Sequence, residues 1–127
     1  MISLTLPWPP TVNTYWRNVY GKTMLSRKGR AYRRTAIAEI VRQKAVKGFS
    51  GRVSVAIAAY PPDLRARDLD NILKPLLDAL HHAGVIEDDS LIDELYVARG
   101  EKTEDGAVEV QVFEKGPDDL LRRPVVR

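Results

Sequence analysis

Two aspartates separated by one residue, Asp68 and Asp70, are the side chains of this sequence with the clearest capacity for chemistry. An extended backbone points residues i and i+2 in the same direction, so both carboxylates can serve one ligand. Hard divalent cations prefer carboxylate oxygen, and a bound cation assists phosphodiester hydrolysis. A third carboxylate must come from elsewhere, and the acidic turn that contains Asp89 is the nearest candidate. We therefore predict that Asp68, Asp70 and Asp89 hold Mg²⁺, with Mn²⁺ able to replace it.

These acids also have a purely structural interpretation. Aspartate is a preferred N-cap, so Asp70 could simply cap the helix that follows it. Asp68 could pair with Arg67, and Asp88 with Asp89 could form a turn. Capping and cation binding are compatible roles, so the pattern leaves both open.

A polar face accompanies the acids on the helix that follows Asp70. Helical spacing places Asn71, Lys74, Asp78 and His81 together, opposite a stripe of leucines. This face is either solvated or it directs Lys74 toward the carboxylates, where an ammonium group can stabilise charge on a phosphate. His81 and His82 diverge around the helix because they are adjacent, so we predict a surface role for both.

The charges of the sequence are distributed unevenly. Residues 1–60 carry 11 Lys and Arg against the single acid Glu39, whereas residues 61–127 carry 9 basic and 16 acidic residues. A strongly basic half favours a polyanionic partner such as nucleic acid. The predicted DNA-binding residues are Asn13, Arg17, Arg27, Lys28, Arg30, Arg33, Arg34, Arg65 and Arg67.

Three aromatic residues, Trp8, Tyr15 and Trp16, surround a run of prolines. Aromatic side chains next to prolines generally fill a core, which is one interpretation. The other is that one of them, close to Arg17, stacks on an unpaired base of a nucleic acid.

The elements that position these residues follow from apolar periodicity. Strands are predicted over 2–6, 52–60, 92–102 and 108–112, with a Glu104-Asp105-Gly106 turn before the last strand. Ser26 is predicted to be the N-cap of a helix that runs to about Lys47, and a loop joins the prolines to Ser26. A second helix is predicted from Asp70 or Asn71 to Gly84. The order β-α-β-α-β-β predicts an α+β fold, with one mixed four-stranded sheet and two helices packed on one face.

Length and composition restrict the class of protein. The 127 residues make a single domain, 1–127, with a peripheral tail over 116–127. The absence of cysteine excludes disulfides, thiolate metal sites and cysteine nucleophiles. No apolar run approaches the roughly 20 residues of a membrane span, and no leader follows Met1. We expect a cytoplasmic protein with no membrane partner and no small-molecule cofactor.

Several separated motifs occur in a fixed order along the chain. They are Leu6–Pro10, Asn13, Tyr15, Arg17, Ser26–Tyr32, Arg67–Asn71, Lys74, Asp78–Leu80, Ala83–Gly84 and Asp88–Asp89. Together they make most of the sequence similar to the RusA family of Holliday junction resolvases of bacteria and their phages.

The resemblance implies a Mg²⁺-dependent homodimer that introduces paired nicks across a four-way DNA junction. It places the catalytic aspartates at Asp68, Asp70 and Asp89, with Asp88 as an alternative to Asp89. It also places the catalytic lysine at Lys74 and the DNA-binding arginine at Arg67.

A dimer is also expected because a junction needs two cuts and each chain supplies one acid cluster; a two-fold pair would supply the second. The pairing surface stays open between the leucine helix and the C-terminal residues Leu120, Leu121, Val125 and Val126. Two other functions remain open as well. One is a non-catalytic module that binds branched DNA, and the other is a phosphohydrolase of small nucleotides.

Overall fold

Alternating apolar side chains build the central sheet of this chain. The computed structural model describes residues 1–115. Along β4 (Val53–Tyr60) every second residue is buried, which is the two-residue period of a strand that packs one face on a core. The other elements are β1 (Ile2–Pro7), α1 (Val12–Tyr15), β2 (Trp16–Val19), β3 (Lys22–Leu25), α2 (Arg27–Arg42), a 3₁₀ helix (Leu69–Ile72), α3 (Leu73–His82), a second 3₁₀ helix (Asp89–Leu91), β5 (Ile92–Arg99) and β6 (Ala107–Glu114).

The sheet is mixed, with the strand order β1-β6-β4-β5. Val110 of β6 faces Leu4 on one side and Ile57 on the other, both in antiparallel pairs. β4 and β5 are parallel, so the chain must cross over between them, and α3 lies in that crossover. Buried residues of α2 and α3 join those of the strands in one core. The predicted α+β fold, with a mixed four-stranded sheet and two helices on one face, is confirmed.

The start of α2 confirms the predicted cap and brings two helices close together. The Ser26 hydroxyl accepts a hydrogen bond from the Gly29 amide at 2.9 Å. Gly29 is buried against α1, and a Cβ placed there would lie 2.4 Å from the carbonyl oxygen of Tyr15. The absence of a side chain at this position therefore allows the two backbones to touch.

Replacing Gly29 by alanine should destabilise the fold, although alanine favours a helix by about 1 kcal/mol. The clash involves backbone, which cannot move aside like a flexible side chain, so we expect a net loss of about 1–3 kcal/mol in the free energy of unfolding. Urea denaturation measures this loss. Gly51→Ala is the matched control, because its Cβ would meet only Glu114 at an ordinary 3.6 Å. If Gly29→Ala were as stable as the control, the close approach would not matter.

α2 ends earlier than predicted. Its last residue is Arg42 rather than one near Lys47, and Lys44 turns the chain with a φ of 59°. The side chain of Gln43 accepts from the Thr5 amide at 2.8 Å and donates to the Thr5 carbonyl at 2.7 Å. Thr5 belongs to the edge strand β1, so Gln43 satisfies backbone groups that the sheet leaves unpaired.

The leucine-rich helix begins slightly later than predicted. Asp70 and Asn71 lie in the first 3₁₀ helix, and the α-helix starts at Leu73. Pro75 consequently falls in the first turn, where proline costs no internal hydrogen bond. Gly84, with a φ of 81°, ends the helix as predicted.

The predicted loop between the prolines and Ser26 is wrong. This segment forms the short helix α1 and a two-stranded hairpin, β2 with β3, outside the main sheet. The third predicted strand ends at Arg99 rather than Lys102, and the turn at Asp105 and Gly106 is confirmed by their φ values of 64° and 73°. None of the helices within residues 1–115 is long and apolar enough to span a bilayer. The predicted tail over 116–127 lies outside the described residues.

Candidate active site

The first acidic segment lies immediately before α3. Asp68 has extended backbone dihedrals, with φ −87° and ψ 134°, and precedes the 3₁₀ helix that contains Asp70. Neither the 3₁₀ helix nor α3 receives a side-chain cap, so the capping interpretation of Asp70 is wrong. Both aspartates are exposed, and their carboxylates have no hydrogen bond or ion pair with any residue of 1–115. Two carboxylates without a partner within residues 1–115 thus lie two positions apart in the sequence.

The second acidic segment folds back against α3. Asp88 accepts a hydrogen bond from the Ser90 amide at 3.1 Å, which lowers the pKa of Asp88 below its ordinary value. The turn predicted at Asp88 and Asp89 is therefore present. The Asp89 carboxylate takes no part in the hydrogen bond to Ser90. Its Oδ2 lies 3.9 Å from Nζ of Lys74, in the first turn of α3. Asp89 is thus the acid that approaches the start of α3.

His81 of α3 lies close to the second acidic segment. His81, Asp88 and Asp89 each offer a ligand atom, and these atoms lie within 4.8 Å of one another. Within residues 1–115 this is the group of three such side chains that converges; Asp68 and Asp70 do not belong to it. The oxygen and imidazole donors suit a divalent cation. The ligand set predicted from Asp68, Asp70 and Asp89 stays a prediction.

Arg67 is held in place beside the first acidic segment. Its Nη1 lies 2.7 Å from Oδ1 of Asp63, and its guanidinium carbon is 5.7 Å from the centre of the Trp8 ring. Asp63 also pairs with Arg65 at 3.0 Å. Hydrogen bonds from Arg67 and Arg65 hold the pKa of Asp63 well below its ordinary value. The interpretation that Arg67 pairs with Asp68 is wrong, because its partner is Asp63.

A cavity of about 380 Å³ opens at the carboxyl end of the parallel strands β4 and β5. Arg65, Arg67 and Asp68 line one part of it, and Arg99 and Lys102 line another. Arg99 also donates a hydrogen bond to the carbonyl of Arg67. The floor is apolar, with Trp8, Pro61, Leu64, Leu69 and Ile72. The cavity therefore joins an apolar floor to several cationic groups and to two carboxylates without a partner within residues 1–115, Asp68 and Glu101.

The basic face of α2 is largely available to solvent. Arg27, Lys28, Arg30 and Arg34 are exposed, and so are Asn13 and Arg17. Arg33 differs from them, because its guanidinium forms an ion pair with Asp78 and its side chain is only 26% exposed. Of the predicted DNA-binding residues, Arg33 is the one with an internal partner on α3.

Asp78 was predicted to lie on a helix face that could be solvated. It is instead only 8% exposed, and within residues 1–115 it is the one charged residue that is buried. It accepts hydrogen bonds from the Tyr15 hydroxyl and from Arg33, and Nε2 of His82 lies 3.4 Å away. Burial raises the pKa of Asp78, but these hydrogen bonds outweigh it, so the pKa is lowered. Burial and the bond to Asp78 raise the pKa of Tyr15 to about 12.

The core-filling interpretation of the aromatic residues holds for Tyr15, which is completely buried. Trp16 is half-buried and meets the Tyr15 ring edge to face at 5.1 Å between ring centres. Trp8 is half-buried beneath Arg67. In the sequence, the hydrogen bonds of Tyr15 and Arg33 to Asp78 were indicated only by the lone acid Asp78 within the helix. An acid at such a position is equally typical of a solvated helix face.

Comparison with known proteins gives one consistent result. The family model described as endodeoxyribonuclease RusA matches residues 7–113. The chain is 44% identical over 110 residues to the crossover junction endodeoxyribonuclease of Enterobacteria phage HK97, covering 86% of this chain and 91% of that protein. It is 38% identical over 115 residues to the crossover junction endodeoxyribonuclease of Escherichia coli K12, covering 90% and 95%. The chain belongs to the RusA family of endodeoxyribonucleases.

Proposed function

We propose that this chain resolves Holliday junctions by Mg²⁺-dependent hydrolysis of phosphodiester bonds, in DNA recombination and repair in the cytoplasm. Family membership supports an endonuclease, and the relatives are named for crossover junctions. The observation that carries the proposal is the approach of Lys74 to Asp89 at the start of α3, the helix that directly follows in the chain the segment of the free carboxylates Asp68 and Asp70.

The carboxylates Asp68, Asp70 and Asp89 are the residues that would hold the cation. Their chemistry fits, because all three are exposed, and Asp68 and Asp70 have no partner within residues 1–115, so their oxygens can turn toward a hard ion. When bound, Mg²⁺ or Mn²⁺ supplies Lewis acidity that activates water and neutralises phosphate charge. His81 adds a nitrogen donor close to Asp89, which the sequence prediction did not include.

The protein side chains would hold the phosphate and offset its charge. Hydrolysis forms a bond between a water oxygen and phosphorus while one ester P–O bond breaks, and negative charge grows on the departing oxygen. The ammonium of Lys74 is exposed and can donate hydrogen bonds to that oxygen. Arg67, with Nη1 committed to Asp63, keeps the rest of its guanidinium for a neighbouring phosphate.

A homodimer would place two such sites on one junction. The leucine face of α3 is unsuited to the pairing surface, because Leu76 and Leu80 are completely buried within the single chain. The other candidate surface, at Leu120, Leu121, Val125 and Val126, lies outside the described residues.

Cleavage of a synthetic four-way junction tests the proposal. The purified protein is incubated with a labelled junction and with a linear duplex of the same sequence, each with Mg²⁺, with Mn²⁺ and with EDTA. We expect paired nicks in the junction only when a metal is present. Binding without product under every metal condition would favour the non-catalytic module.

The salt dependence of DNA binding distinguishes the proposed junction resolvase from a phosphohydrolase of small nucleotides. Contacts between phosphates and a basic surface predict that junction affinity falls steeply as salt concentration rises. A phosphohydrolase of small nucleotides predicts no such salt-sensitive binding. Hydrolysis of nucleotides with no affinity for the junction would overturn the proposal.

Replacing Asp63 by asparagine should weaken junction binding, although the change removes a negative charge. Simple electrostatics predicts tighter binding to DNA, whereas loss of the Asp63 contact frees Arg67 to leave its place on Trp8. We expect the release of Arg67 to outweigh the loss of the negative charge, so that the affinity for the junction falls about twofold to fivefold. Fluorescence anisotropy with a labelled junction measures this, with Glu39→Gln on α2 as the control. Tighter binding by Asp63→Asn would show that Asp63 does not orient Arg67.

A further inference from the structure

The tip of the β2–β3 hairpin carries the most exposed aromatic side chain of the described residues. Tyr20 is 101% exposed, so no other part of residues 1–115 covers it. The base of the hairpin is fixed, because the Ser26 amide donates to the carbonyl of buried Tyr15 at 2.9 Å. Across the strands the Thr23 hydroxyl donates to the Asn18 side chain at 3.1 Å. An aromatic ring is thus presented to solvent on an anchored support.

Tyrosine is an unfavourable residue for this turn. Tyr20 has a φ of 51° and Gly21 a φ of 78°. Two-residue hairpin turns with positive φ at both positions favour asparagine, aspartate or glycine at the first, because a bulky side chain is strained in the left-handed region. Strain of this kind is typical of positions with a function. The exposed ring contributes no packing that would compensate for it.

The surroundings of the ring suit a nucleic acid. Arg17 and Lys22 flank the tip on the two strands and are exposed, and Arg27 and Lys28 follow at the start of α2. No acidic residue precedes Glu39 in the sequence. A flat aromatic surface among cationic side chains is the combination that binds an unpaired base together with its phosphates.

The three aromatic residues near the prolines are poorly placed to stack on a base. Tyr15 is buried and donates to Asp78, Trp8 is covered by Arg67, and Trp16 is half-buried against Tyr15. We propose that Tyr20 stacks on an unpaired base at the branch point of the DNA substrate and so selects branched over linear DNA. This inference rests on the proposed function, since it needs a junction as substrate.

Binding measurements on three proteins test this inference: the wild type, Tyr20→Phe and Tyr20→Asn. Asparagine tolerates the left-handed conformation, so Tyr20→Asn should melt at the same temperature as the wild type or higher. Its affinity for a four-way junction in EDTA should fall roughly fivefold to 100-fold, while its affinity for linear duplex stays unchanged. Tyr20→Phe keeps the ring and should keep junction affinity. A junction with 2-aminopurine at the branch point should change its fluorescence with wild type and Tyr20→Phe only.

Three outcomes would overturn the inference. One is junction affinity of Tyr20→Asn equal to that of the wild type. Another is an equal loss of affinity for junction and duplex together with a lower melting temperature, which would indicate a structural role. The last is a wild type with no preference for junctions, which would overturn the proposed function as well. The first of these outcomes, together with junction cleavage by the wild type, would remove this inference and leave the proposed function intact.

Discussion

Replacing Asp70 by asparagine is expected to abolish junction cleavage while junction binding persists. The amide has almost the same size as the carboxylate but lacks its negative charge, so it is a much weaker ligand for a hard cation. We expect the single-turnover cleavage rate to fall at least about 100-fold, or about 2.7 kcal/mol in activation free energy. Asp70 caps no helix and has no partner within residues 1–115, so the fold should not change. Cleavage assays and gel shifts in EDTA measure the two effects.

The matched control for this experiment is Asp105→Asn. Asp105 is an exposed aspartate in the turn before β6, with a φ of 64° that asparagine also tolerates. The control removes the same charge from a position outside the cavity and both acidic segments, so it should cut junctions at the wild-type rate. Undiminished cleavage by Asp70→Asn would refute the proposed role of Asp70. Loss of binding together with cleavage would also refute it, since it would point to a fault in the fold or the DNA surface.

Replacing Asp78 by alanine should cause the largest loss of stability among the changes considered. The substitution leaves the Tyr15 hydroxyl without its acceptor and leaves the partly buried Arg33 without its counter-charge. Breaking a buried pair from one side costs about 3–5 kcal/mol, and the 26% exposure of Arg33 places this case near about 3 kcal/mol. Urea denaturation followed by circular dichroism measures the loss. Glu39→Gln, which breaks a surface pair with Arg42, is the control and should leave the free energy of unfolding nearly unchanged.

The same carboxylate predicts a pH dependence. The pKa of Asp78 is lowered in the folded protein, because the hydrogen bonds from Tyr15 and Arg33 outweigh its burial. A group whose pKa is lowered on folding adds stability above its unfolded pKa of about 3.9, and this contribution disappears as pH falls through the folded value. The stability difference between wild type and Asp78→Asn should therefore be constant near neutral pH and shrink below about pH 4. A difference that did not change with acid would show that the charge of Asp78 contributes little.

Local patterns in the sequence were sufficient for the main elements. Alternation at Val53, Val55, Ile57 and Ala59 correctly predicted a strand with one buried face, because a strand buried on one side requires that period. Capping chemistry was also local, and the predicted cap at Ser26 is confirmed. These features depend on neighbours only a few residues away.

Other features escaped prediction because their causes are distant in the sequence. The end of α2 depends on Gln43 meeting Thr5, 38 residues away. The hairpin has strands of only four residues each, too short for a period to be recognised. Asp78 looked compatible with solvent because nothing in its own helix shows that Tyr15, 63 residues away, donates to it.

For the candidate site, the sequence by itself determined which residues carry carboxylate, ammonium and guanidinium groups, and the family to which the chain belongs. Only the tertiary structure decided that Asp89 lies beside Lys74, that Arg67 is held by Asp63 and Trp8, and that an exposed ring stands at the hairpin tip. The reason is physical: residue type and local spacing determine what a side chain can do, whereas its partners and exposure depend on how distant segments pack together.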